Sequence, residues 1–187
     1  MANYANKILY GFSNIHIAKI GESGYETPVA LLGAKSIEVS IETASKNVYA
    51  DNTTAHTFVL PTSGEGTLQV LGLTAEERRM LAGLDDLEVG FGVNDNPNKP
   101  RFAVTFEQDV ADGSKMMYVV YNVTFDTSSI SLETTEEEVA EKPVDIAMVV
   151  NKGDNGWFYY AINSAEAEDT AKNWHTAIQE PAKKVGE

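Results

Sequence analysis

At 187 residues, with 43% apolar side chains and no cysteine, the chain has the size and composition of one globular domain. That composition excludes wholesale disorder, a disulfide framework, thiolate zinc sites and a cysteine nucleophile. The formal net charge of −14, from 28 acidic and 14 basic side chains, opposes the sign that proteins gripping nucleic acid carry.

The first twenty residues lack the basic start and continuous apolar segment of a secretory signal, and no stretch approaches the ~20 apolar residues of a membrane-spanning helix. The sequence therefore predicts a soluble chain. Asn14-Ile15-His16-Ile17-Ala18 alternates polar and apolar, and Ser36 to Glu42 does so without a break. Side chains of a strand point to opposite faces in turn, so Ile37, Val39 and Ile41 can enter a core while the other face stays wet. The segment 42–63 is polar, small and turn-prone, with only Val48-Tyr49 and Phe58-Val59-Leu60 able to pair, and it reads as a long loop. Gly66 to Leu71 returns as a strand.

Thr74 with Glu77 forms a capping box, Gly83 is placed for a left-handed C-terminal cap, and a helix of about two turns is expected between them. Leu87 to Val93 and Arg101 to Asp109 read as strands, the latter with Phe102, Val104 and Phe106 on one side. Ala111-Asp112-Gly113-Ser114 turns and Lys115 to Phe125 returns, which is a hairpin signal. An acidic connection at about 133–142 follows. Val144, Ile146, Met148 and Val150 then alternate, Gly153 to Gly156 turns, and Trp157 to Ile162 comes back. A second helix is expected over 166–179, where Ala167, Ala171, Trp174 and Ile178 fall at helical spacing before Pro181. The sum is mainly β: an antiparallel sandwich or barrel with one or two short flanking helices, in a single domain over 1–187. Charge is uneven along it, since residues 131–187 hold 12 acids and 5 bases, half of the net charge. A solvated face and a surface that avoids DNA both fit that excess.

No constellation for chemistry emerges. His16, His56 and His175 are far apart and stand in no HExxH or HxH arrangement, so neither metal ligation nor catalysis is expected of them. Nucleophile elbows and phosphate-binding glycine loops are absent; Gly90-Phe91-Gly92 lacks a third glycine and a following helix. Asp85-Asp86 and Glu136 to Glu138 are acidic neighbours without the geometry of a glycosidase pair. Asn94-Asp95-Asn96 and Asp154-Asn155-Gly156 read as turns rather than calcium loops. Catalytic, cofactor and metal residues are therefore all expected to be none. Aromatic residues cluster at Tyr118 to Tyr121 and Trp157 to Tyr160, where an exposed set could stack sugars or anchor an interface.

The order of these elements resembles the major tail proteins, the tail-tube subunits of long, non-contractile-tailed phages of Gram-positive bacteria. The likeness rests on four stretches. They are Asn14 to Lys19 with Tyr25 to Val29 and Leu32 to Ile37; Val48 to Asp51; Gly66 to Leu71 leading into Thr74 to Arg78 and Leu81; and the closing helix with Trp174 and the terminal Glu180-Pro181. Together they cover residues 14–181, and neither the acidic segment 133–141 nor the stretch 52–63 aligns with the family pattern.

The resemblance implies a tail-tube-like β-sandwich or barrel, hexameric rings whose inner strands join, and stacking of rings into a hollow tube for DNA. It implies self-assembly, no enzyme activity and no cofactor. The implied partners are copies of the chain, a tape-measure protein, a tail terminator and a distal tail protein, without sequence-specific nucleic-acid binding or membrane contact. The implied location is the virion tail, after synthesis in the bacterial host cytoplasm. In such folds a long loop reaches the adjacent ring, which makes Val48, Tyr49, Ala50 and Asp51 the expected inter-subunit contacts. Three other readings stand beside it: the tube of a contractile injection or secretion machine, a carbohydrate-binding or adhesion β-domain suggested by the aromatic strands, and a hydrolase using acids such as Asp85, Asp86 and Glu107.

Overall fold

The computed structural model describes residues 4–84, 92, 99–127 and 141–182. The strand expected over 87–93, the acidic connection and the turn at 94–96 lie outside those residues, apart from Gly92, Glu141 and Lys142.

Among the described residues the fold is mainly β, with every strand pairing antiparallel, two short α-helices and one 3-10 turn at Ala5–Lys7. Its strands are β1 (Leu9–Gly21), β2 (Gly24–Tyr25), β3 (Val29–Ala30), β4 (Ala34–Ala50), β5 (Thr53–Val70), β6 (Phe102–Val110), β7 (Lys115–Asp126), β8 (Val144–Val150) and β9 (Tyr159–Asn163). They follow the order β2-β1-β6-β7-β8-β5-β4, with β3 added to β1 and β9 to β7. The sheet rolls on itself: Ile15 and Ile17 near one end and Ile37, Val39 and Ile41 at the other belong to one core with Phe102, Val104, Phe125, Ile146 and Met148.

Period two explains both faces of β6. Phe102 and Val104 enter that core, whereas Ala103, Thr105 and Glu107 face the other way. In β7 the parity slips, because Val120 and Val123 share the main core while Met117, Val119 and Tyr121 face a second one. A bulge absorbs the extra residue: Phe102 pairs with Val123 but Val104 with Val120, and Asn122 takes a left-handed φ of 49°. Burial of apolar area on both faces makes this hairpin the centre of the molecule, at about 25 cal/mol per Å2 removed from water.

Helix α1 (Ala75–Ala82) has the expected capping box between Thr74 and Glu77, and Gly83 caps it at φ 63°. Helix α2 is much shorter than its sequence period implied. It spans Glu168–Lys172 and stops at Asn173, after which the chain turns and continues as a strap. The strap is held by long-range partners that a continued helix would forfeit. Trp174 is fully buried with its Nε1 donating to the Tyr118 carbonyl at 3.1 Å, and the Tyr121 hydroxyl donates to the Gln179 carbonyl at 2.6 Å. Ala167, Ala171 and Ile178 pack on the second core as their spacing suggested, but on a turning backbone.

The segment 42–63 is not a loop. β4 and β5 pair almost continuously from Ala34↔Val70 to Ala50↔Thr53, across a two-residue turn at Asp51-Asn52 with φ of 51° and 60°. Positive φ at both central residues matches the twist of a hairpin, and Asp and Asn tolerate it. Cross-strand hydrogen bonds replace a core: Thr57 Oγ1 donates to Asn47 Oδ1 at 2.8 Å, and the Ser63 hydroxyl to Glu42 at 3.1 Å. The strand expected to return after the turn at Asp154 to Gly156 starts later, with β9 at Tyr159 rather than Trp157, and it makes no hairpin with β8: β8 pairs with β5 and β7, whereas β9 pairs with β7.

Candidate functional site

The outer half of the β4–β5 hairpin is a two-stranded ribbon. β8 pairs with β5 only over Gly64 to Val70, and every residue from 42 to 62 is exposed. At its base the strands approach closely: a Cβ on Gly66 would lie 2.2 Å from the Glu38 carbonyl oxygen, so only glycine fits.

Register decides what the ribbon presents. One bulge lies between Glu42↔Ser63 and Thr43↔Pro61, and a second between Val48↔His56 and Tyr49↔Thr54. Between them Ala44 pairs with Leu60, Lys46 with Phe58 and Val48 with His56. Cross-strand partners share a face, so Val48, Phe58 and Leu60 make one apolar face, where the His56 ring meets Phe58 edge-on at 4.6 Å. Val59 and Tyr49 belong to the opposite face. Five large apolar side chains, Val48, Tyr49, Phe58, Val59 and Leu60, are between 42% and 68% exposed. Of the four expected contact residues, Val48 and Tyr49 therefore point to opposite faces, Ala50 closes the ladder, and Asp51 opens the turn. Phe58 and Leu60, which share a face with Val48, were not among the expected contacts, because Val59 between them breaks the alternation that would have marked that face.

The sheet face below the ribbon has a different character. Glu38 and Glu42 of β4, Glu65 of β5 and Asp145 of β8 are exposed, and no lysine or arginine occurs in residues 36–42, 63–70 or 144–150. Ile37, Val39, Ile41, Leu68, Ile146 and Met148 turn the other way.

A polar cluster that sequence spacing did not reveal lies on the strap side. Glu107, 4% exposed, accepts from Lys115 Nζ at 2.5 Å, His175 Nε2 at 2.7 Å and Asn14 Nδ2 at 3.2 Å. A carboxylate only accepts, so His175 Nε2 carries the proton and Nδ1 accepts from the Thr105 hydroxyl at 2.9 Å. His16 stacks on His175 with ring centroids 4.5 Å apart. Burial pushes the Glu107 carboxyl up, but the hydrogen bonds from Lys115, His175 and Asn14 outweigh it and hold it below the usual range. Burial pushes His175 down against the pull of Glu107. The carboxylate–imidazole–hydroxyl string resembles an activated nucleophile in outline only. Thr105 is 0% exposed, so solvent does not reach its oxygen, and the cluster's evident task is to fasten the strap to β6. The Asp85 and Asp86 of the hydrolase reading lie outside the described residues.

Among the described residues no group of three or more histidine, aspartate or glutamate side chains is arranged to hold a metal, and no helix is long and apolar enough to cross a membrane. No protein-family model matches the chain, and no curated protein matches it.

Proposed function

We propose that this chain is a structural subunit that assembles with copies of itself into stacked rings forming a hollow tube, as a phage tail tube does. The ribbon carries the reading. An isolated two-stranded hairpin is marginally stable in water, and here 21 exposed residues, 42 to 62, bear five large apolar side chains that the described residues leave uncovered and a partner would cover. Subunits in a closed ring also hide sheet edges, and β4 is the last strand on one side of the sheet path.

The acidic face of Glu38, Glu42, Glu65 and Asp145 is our candidate for the tube lining. Four carboxylates without a lysine or arginine repel phosphate, so a DNA duplex would slide past rather than bind. On this reading the domain is a tail-tube fold, function lies in the geometry of the pore, and no residue performs chemistry. Its further partners are a tape-measure, a terminator and a distal tail protein, and its location is the virion tail.

Negative-stain electron microscopy of the purified chain, from dilute to several milligrams per millilitre, tests the proposal. Rings or hollow tubes of uniform width are expected as concentration rises. Monodisperse particles throughout, together with a saturable hit in a glycan screen, would instead make it a carbohydrate-binding domain.

A further inference from the structure

We infer that the apolar groove between β4 and the β6–β7–β9 face receives the apolar ribbon face of a second copy of the chain. The inference rests on the self-association proposed above and identifies the receiving surface.

The rolled sheet does not close tightly at this place. A groove of about 500 Å3 remains between Ile37, Val39 and Ile41 on one wall and Phe106, Tyr118 and Tyr159 on the other. Its Phe106 and Tyr118 rings are stacked, 5.1 Å apart and inclined by 14°, which gives that wall a flat apolar surface. Tyr159 stands at the rim, 53% exposed. Among the described residues, no charged side chain lines the groove.

The ribbon has the matching chemistry. On a chain of net charge −14, residues 43–61 carry one lysine, Lys46, and one aspartate, Asp51, so this projection is formally neutral. Two acidic copies repel each other, and a neutral arm entering an uncharged groove is the approach that repulsion hinders least. Val48, Phe58 and Leu60 on one face supply apolar groups for the trough.

A ribbon that enters the groove must come from another copy. Ile37, Val39 and Ile41 belong to the same strand as the ribbon, and β4 remains paired from Ala34 to Ala50. At ~3.3 Å per residue, Val48 lies about 23 Å beyond Ile41 along an extended ladder, so the ribbon points away from its own groove. Donor and acceptor are thus different patches of one chain. Such a head-to-tail contact propagates, which is what stacking requires.

Absence of cysteine permits a clean test. Phe58→Cys in one tagged copy is mixed with Val39→Cys in another under mild oxidation, across concentrations spanning assembly. Tyr159→Cys serves as a second groove position, and Thr67→Cys, exposed on the opposite sheet face, as the comparison. Docking predicts disulfide formation with either groove position at least about tenfold faster than with Thr67→Cys, because binding raises the local thiol concentration. Assembly in which Phe58→Cys pairs no faster with the groove than with Thr67→Cys overturns the docking and leaves self-association standing. Protein that stays monomeric throughout, with no cross-link, overturns both.

Discussion

Acidification should loosen the strap through His175, with a sign and limit that follow from its surroundings. The ring is half-buried between Glu107, Thr105 and the His16 ring, while Lys115 occupies the other oxygen of Glu107. Burial is the largest influence and lowers its pKa below the ordinary 6.5; His16 and Lys115 act the same way, and Glu107 opposes them. Between that folded value and 6.5 the unfolded chain binds more protons than the folded one. Stability associated with this group is therefore intact above about pH 6.5 and is lost as pH falls through the folded value. A whole proton of difference gives a slope of about 1.4 kcal/mol per pH unit, which is the ceiling for one histidine. Glu107, also lowered, adds a second loss of the same sign below its ordinary 4.5. Acid also relieves the self-repulsion of a chain at −14, which works the other way, so the wild-type slope alone is ambiguous. The comparison with His175→Gln removes that ambiguity. Urea midpoints would be measured from about pH 8 to pH 5, at low protein concentration so that association does not add stability. Wild type should lose stability relative to the variant as pH falls through this range. Parallel profiles for the two proteins would mean that His175 is not held neutral by the strap, and the argument from burial would fail.

Three other perturbations separate the strap, the ladder and the ribbon. Trp174→Ala removes the largest side chain of the second core and should cost about 3–5 kcal/mol, lowering Tm by roughly 6–20 °C in thermal circular dichroism. Gly66→Ala forces a Cβ against the Glu38 carbonyl and should cost about 1–3 kcal/mol, seen as a Tm drop of roughly 2–12 °C; an unchanged Tm would mean that the strands can part there at no cost. Phe58→Ser with Leu60→Ser alters only exposed side chains, so monomer stability should stay within about 0.5 kcal/mol while sedimentation shows assembly abolished. A large loss of monomer stability in that double variant would show that the ribbon already packs within its own chain.

What the sequence made legible follows from which residues have two different environments. Ile37-Glu38-Val39-Ser40-Ile41 and the alternation from Val144 to Val150 lie between a core and water, and a strand so placed must carry period two. The cap at Thr74 and Gly83 was equally plain, since it depends only on neighbours in the chain. Ala171 and Trp174, read from their spacing as one helix face, do pack on the second core, but the helix joining them stops at Lys172, because the Tyr118 carbonyl and Glu107 lie 56 and 68 residues away and no local pattern encodes them. Glu107 stood in the sequence as a strand acid of the hydrolase reading, with no sign of its partners, because its three donors come from β1, β7 and the strap. The ribbon failed for the opposite reason. Both its faces are wet in the single chain, so it has no burial period, and its polar pairs and Asp51-Asn52 turn resemble an ordinary loop. On the proposed reading that absence has a cause. The contrast that would make Val48, Phe58 and Leu60 look like one side of a strand is supplied by a neighbouring copy, and a pattern completed between molecules is incomplete within one.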